Sequence, residues 1–307
     1  MRRCRDCELP GGSQVQGQCS IEKEEHMKIH RCLISGSVGL GISLLTCPAF
    51  AQQYLCSPLP SQAVLRAALQ TAVAASNGGL GNNMWATLVA NDGTVCAVAF
   101  SGAGYQDQWL GSRVISAQKA NTANGFSLSN GARLNGTGLV LSTANLYSAV
   151  QPGGSLYGLQ HSNPVDPPVA YEGNVFTYGR AYDPMVGYRI GGVNVFGGGL
   201  TLYSQGGVRV GGLGVSGDTS CTDHFVAWRV RNLLQLDHLA SVPGVTGDAS
   251  HPDNIIYDIA PASNGGILDP AAGGTLSSSA SGFGHPQCDP PTPGGTTGPS
   301  VLPAVQN

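Results

Sequence analysis

The chain has 307 residues, 15 basic and 18 acidic side chains, and a net charge of −3. That balance excludes the basic footprint of a nucleic-acid binder. The length allows one domain or two, and the composition of both ends favours a single folded part over about 56–288.

The first 51 residues read as processing sequence. Met27 is followed by Lys28, His30 and Arg31, then by the apolar run 33–45 and the small-x-small triplet Ala49-Phe50-Ala51, the pattern of a signal peptide over 27–51. The run is shorter than the roughly 20 residues a membrane span needs. The expectation is cleavage after Ala51, no retained anchor, and a periplasmic or secreted product. Residues 1–26 read as an extension ahead of the true initiator Met27. The alternative is a metal or redox role for Cys4-x-x-Cys7.

Nine basic and thirteen acidic residues follow the leader, a net charge of −4, with Lys119 the only lysine and Glu172 the only glutamate. Cys56, Cys96, Cys221 and Cys288 remain. An even set in an oxidising compartment reads as two disulfides. Three pairings are open, and Cys221 with Cys288 is favoured because it would pin a loose C-terminal arm. None of the four lies at zinc-ligand spacing.

Residues 61–76 carry Val64, Leu65, Ala68, Leu69, Ala72 and Val73 at helical spacing behind a Ser61 cap. Two β-prone runs, 84–90 and 94–100, flank Asn91-Asp92-Gly93, where Asp-Gly predicts a tight hairpin with positive φ angles. A second helix is expected over 112–126, capped at Ser112, and a short one over 139–150, capped at Ser142 or Thr143. The stretch 159–190 has no period and reads as a long loop. A second hairpin is expected from 200–204 and 208–215, then a helix over about 222–238 with Phe225, Val226, Trp228, Val230, Leu233 and Leu234 as its apolar face. Residues 241–288 read as an arm on the domain, with one β-like piece at 255–257. Residues 289–307 read as a disordered tail.

This order predicts an α/β (α+β) fold with a central antiparallel sheet flanked by helices. Two segments add a resemblance. SAQKANTANGF at 116–126, and IGGVNV at 190–195 followed by VGGLGVSGD at 210–218 and a helix, resemble the two signatures of the GlcG/HbpS-like haem-binding family. The resemblance covers roughly 60–238. It implies a profilin-like sandwich, self-association into a homo-oligomer, and haem or a related ligand as cofactor. The chain departs from the family in 159–190, in its cysteines and in the arm.

The richest constellation is DTSCTDH at 218–224. Free backbone N–H groups at a helix start favour an anion such as a haem propionate, and His224 suits an iron ligand or an acid–base group with Asp218 or Asp223. The bland reading has Thr222 or Asp223 as the cap and His224 solvated. Lys119, Arg113, Tyr105, Thr122 and Ser216 are candidate ligand-binding residues, the two cations facing carboxylates and Tyr105 with Trp109 forming an aromatic wall for a flat ligand; the alternatives are an exposed helix face for Lys119 and interface packing for Arg113, Tyr105 and above all Trp109. A Cys221–Cys288 bridge would carry His285 to His224 as a bis-His haem or metal site. His161, His238 and His251 have no local partners. Gly214-Val215-Ser216-Gly217 lacks the spacing of a hydrolase elbow, and the glycine pairs are not a nucleotide loop. Three functions stay open: an exported binder of haem or a planar anionic ligand, a secreted enzyme using His224 and an aspartate on a small organic acid or aromatic compound, and a structural accessory protein whose pocket is vestigial.

Overall fold

The computed structural model describes residues 55–259, 279–293 and 301–307. The expected leader, its cleavage site and the Cys-x-x-Cys ahead of it lie outside these. Among the described residues no helix is long and apolar enough to cross a membrane.

Helix α1, Gln62–Val73, starts where Ser61 accepts the Val64 N–H. Leu65, Ala68, Leu69 and Ala72 face inward, whereas Val64 is exposed. Strands β1 (Trp85–Ala90) and β2 (Val95–Phe100) form the first hairpin. Its turn differs from the expected one. Gly93 alone has positive φ, the Gly93 N–H donates to Ala90 O, and the Asp92 carboxylate accepts from the Thr94 N–H. This is the three-residue loop in which one left-handed glycine follows an ordinary turn.

Helix α2 (Ser112–Gly125) follows, then the short helices α3 (Leu146–Ala149) and α4 (Pro167–Ala170), strands β3 (Gly199–Ser204) and β4 (Val208–Ser216), and helix α5 (Ser220–Leu233). The antiparallel sheet has the order β2-β1-β4-β3. Alternation splits β1 between two cores. Ala86, Leu88 and Ala90 pack with α1 and α5, while Trp85 and Val89 pack with Val114, Ala117 and Ala120 of α2. The expected mixed fold, a central antiparallel sheet with helices on both faces, is the one observed.

Strand β4 explains its own glycines. A Cβ on Gly214 would lie 1.8 Å from Ser116 O, and one on Gly212 would lie 2.2 Å from Ala120 O. Glycine at these positions lets the α2 backbone rest almost directly on the sheet. The two motifs, 116–126 and 210–218, are therefore the two sides of one close contact, which places Lys119 over the end of β4.

Several boundaries move. Helix α2 begins after Gly111, which makes no side-chain cap, rather than from a Ser112 cap. In 139–150 only Leu146–Ala149 is helical, because the Asn145 carboxamide accepts from the Ser142 N–H and hydroxyl and holds 142–145 as a turn. Helix α5 is capped by Thr219, whose hydroxyl accepts the Thr222 N–H, so neither Thr222 nor Asp223 is the cap. It stops at Leu233, where Gln235 turns left-handed. Ile255-Ile256-Tyr257 joins no strand, although the His285 N–H donates to Ile256 O.

The segment 159–190 is no free loop. Ala170, Met185 and Ile190 are buried over α2. For 301–307 the expected disordered tail is revised, because Leu302 is buried in the main core, Trp228 Nε1 donates to Pro303 O, and Ala240 N donates to Gln306 O.

Candidate functional site

Among the described residues the disulfides are Cys56–Cys96 and Cys221–Cys288, so the favoured pairing is the observed one. The second bridge ties the arm to the first turn of α5, and DTSCTDH becomes the floor of a buried polar centre.

Asp218 is committed to the backbone. Its carboxylate accepts from Leu80 N at 2.8 Å, Asn82 N at 3.0 Å and Thr219 N at 2.6 Å. It therefore holds the 80–82 loop and offers little to a substrate as a catalytic base. Asp223 lies deeper. Its Oδ1 accepts from Gly217 N and Asp218 N, and its Oδ2 accepts from Lys119 Nζ at 2.7 Å. Lys119 also donates to Val215 O at 3.2 Å and lies over the Phe196 ring. Both charged groups are sealed from solvent. Burial holds Asp223 up at about 6 against the pull of Lys119, and burial lowers Lys119 against the pull of Asp223. Desolvation thus outweighs the attraction on both sides. The lysine is neither an exposed helix face nor a free clamp for a ligand carboxylate.

The helix start is likewise occupied. Cys221 N donates to Cys288 Sγ, Thr222 N to Thr219 Oγ1 and Asp223 N to Thr219 O. The expected anion seat at the head of α5 is filled by the protein's own acceptors.

His224 is fully buried rather than solvated, and among the described residues neither ring nitrogen has a partner at hydrogen-bond geometry. Burial first, then the charges of Arg231 and His285, push it down to about 3, with the Asn254 side chain opposing weakly. His285 is buried too and held down at about 4, chiefly by desolvation. Its Nδ1 faces Pro286 O at 2.7 Å. A carbonyl only accepts, so Nδ1 carries the proton and Nε2 keeps its lone pair. Both imidazoles are neutral at ordinary pH, the form in which histidine ligates metal. Gly197 packs against this centre: a Cβ there would approach His224 Cβ to 3.0 Å.

The remaining candidates scatter. Arg113 is buried in an ion pair with Asp183, its Nε donating to Asp183 Oδ2 at 2.9 Å and its Nη1 to Ala170 O, with the guanidinium over Tyr178. It anchors 159–190 to α2 and is not available to a ligand carboxylate. Thr122 accepts from Asn194 N and donates to Gln118 O. Ser216 is buried at the end of β4. Tyr105 stacks edge-on with Phe176, and Trp109 stays exposed. His251 does have a local partner, Asp248 at 2.8 Å. Residues passed over by the sequence reading are Asp183, Asp253 and Asn254. Asp253 forms a buried pair with Arg231, the cation that bears on His224. All three lie in aperiodic segments where no motif marks them. A shallow cavity of about 290 Å³ between Ala240 and Pro252 is lined by none of the site residues.

A family model described as "Haem degrading protein HbpS-like" matches residues 61–231. The chain belongs to this HbpS-like family. No curated protein matches it. Among solved structures it is similar to Klebsiella pneumoniae protein ORFY of family DUF336, at 22% identity over 57% of this chain and 90% of that one, with a TM-score of 0.36. It is also similar to PduOC in its haem complex, at 21% identity over 60% of this chain and 92% of that one, with a TM-score of 0.34. The matched HbpS-like region ends within α5, so the family covers the Lys119–Asp223 pair and His224 but not the arm that carries His285 and Cys288.

Proposed function

We propose that this protein is an exported binder of haem, or of a planar anionic ligand of that kind, with His224 as the iron ligand. The observation that carries the reading is His224 itself: a fully buried, neutral imidazole whose ring nitrogens meet no partner at hydrogen-bond geometry among the described residues, with the Asn254 side chain beside it. Leaving such a group without hydrogen bonds costs on the order of 1–3 kcal/mol, a cost that a ligating metal offsets. Membership of a haem-degrading family supports the choice of haem. The donor set fits iron, which neutral imidazole binds, and His285 supplies a second imidazole nearby. Because His224 is fully buried, with Gly197 packed against it and Asn254 and His285 of the arm acting on it, ligation requires that cover to yield. Lys119 and Asp223 hold the head of α5 in place rather than touching propionates.

Export is supported by the leader pattern and by two disulfides, which persist in oxidising compartments. Periplasmic or secreted material should begin at Gln52, which N-terminal mass mapping checks. Self-association belongs to the same proposal, and sedimentation of the purified protein tests it. The acid–base alternative is the weaker reading, since Asp218 is saturated by backbone donors and His224 is held far below the range of a base working near neutral pH.

The deciding experiment is a visible-spectrum titration with haemin of the chain from Gln52, beside His224→Ala. A saturable one-to-one Soret shift that the variant loses supports ligation by His224. A spectrum identical to free haemin, or an unchanged shift in the variant, refutes it.

A further inference from the structure

The second disulfide sits in surroundings that a purely structural bridge does not require. Cys221 Sγ, Cys288 Sγ and one ligand nitrogen of His285 lie within 4.8 Å of one another, the one such cluster of three metal-ligating side chains among the described residues. Cys288 Sγ accepts from the Cys221 N–H at 3.2 Å, at the first turn of the 14-residue helix α5, and Ser220 Oγ lies 3.5 Å from it. A disulfide sulfur is a poor acceptor, whereas a thiolate gains from the Cys221 N–H and from the helix start; the single Ser220 proton serves either the sulfur or His285 Nε2. The third ligand is already prepared. Pro286 O fixes the Nδ1–H of His285, and the unprotonated Nε2 points to the same Ser220 hydroxyl, 3.2 Å away. A backbone carbonyl that sets the tautomer and ring direction is the usual support for a metal-bound histidine. The other disulfide, Cys56–Cys96, belongs to no such cluster among the described residues.

We propose that Cys221, Cys288 and His285 form a redox-gated zinc site. In the oxidised protein the S–S bond occupies two of the ligands. A dithiol reductant transfers two electrons and two protons to the bridge, its own thiols closing to a disulfide, and Cys221 and Cys288 become thiols. Zn²⁺ then displaces both thiol protons to solvent and takes two sulfurs and His285 Nε2, with water in the fourth position. Two thiolates and an imidazole suit zinc in preference to hard cations. The proposal does not depend on iron ligation by His224, although it claims for zinc the same His285 that could serve as a second imidazole for haem.

The test is a Co²⁺ titration, with Zn²⁺ back-titration, of the full-length chain carrying serine at Cys4, Cys7, Cys19, Cys32, Cys47, Cys56 and Cys96, reduced with a phosphine. The expected result is one equivalent of cobalt with a thiolate charge-transfer band, displaced by one equivalent of zinc and absent from the oxidised protein. His285→Ala should weaken binding by at least about tenfold, and His285→Asp, which restores a ligand, should recover part of it. A reduced chain without the band overturns the proposal, as does a band of equal affinity in a folded His285→Ala protein. Where the seven-serine chain does not fold, the reduced native chain is compared with Cys221→Ser/Cys288→Ser. One equivalent lost supports the site, and none lost overturns it.

Discussion

Lys119 and Asp223 are 104 positions apart in sequence and 2.7 Å apart in the fold, both without solvent. Lys119→Met leaves an unpaired buried carboxylate and should lower stability by about 3–5 kcal/mol, whereas Lys119→Met with Asp223→Leu should recover most of that loss. Urea unfolding of the three proteins measures the difference, and a double variant as weak as the single would show that the pair is not the cause. The buried titrating groups give a second test. Between about pH 6 and 5, above the range in which the unfolded chain protonates Asp92, Asp248 and Asp258, it protonates His224 and His285, which the native state holds down at about 3 and 4. Asp223, held up at about 6, gives one proton back to the native state. The unfolded state therefore binds about one proton more, so stability rises with pH in this window by about 1.4 kcal/mol per unit and is lost as pH falls. His224→Phe removes that excess proton, and its urea midpoint should be nearly flat over the same range; a slope like the parent's would mean that His224 is not held neutral. The sequence made Lys119 conspicuous as the lone lysine in a motif, and made Asp223 and His224 conspicuous by clustering. It did not show that the two motifs clasp each other, because alternation and spacing carry no information about side-chain contacts across the sheet. Asp183 and Asp253 were invisible for the same reason, lying in segments without a period.

Among the elements, β4 makes the sharpest demand on residue size. Gly214→Ala would bring a methyl to 1.8 Å from Ser116 O, an atom of helix backbone that cannot rotate away. The variant should lose about 3 kcal/mol or more, the upper end of overpacking, measured as a fall in urea midpoint. An alanine tolerated there would mean that α2 lies farther from the sheet. Both hairpins and the three long helices were legible because their apolar residues recur at 2 or 3.6, and because Ser61 and Gly93 punctuate them. The end of α5 was not, since Gln235 rather than glycine adopts the left-handed turn. Nor was the shortening of 139–150, where the Asn145 carboxamide competes with the helix for the Ser142 N–H.

At the scale of the whole molecule, two aperiodic stretches become walls. Segment 159–190 is fastened over α2 by Arg113–Asp183, and residues 301–307 return to cover Trp228. The sequence concealed both, because their hold comes from single buried anchors rather than from a repeating face. The arm is held by chemistry as well as by packing. Closing a 67-residue loop through Cys221–Cys288 should stabilise the fold by about 4.4 kcal/mol on chain-entropy grounds, and the 40-residue loop through Cys56–Cys96 by about 3.9. Urea unfolding of Cys221→Ser/Cys288→Ser beside Cys56→Ser/Cys96→Ser separates entropy from packing. Losses that match within about 1 kcal/mol would make both bridges simple restraints on the unfolded chain. A much larger loss at Cys221–Cys288 would mean that His285 and the arm leave the head of α5 once the bridge is gone. The cover over His224 would then depend on that one covalent link.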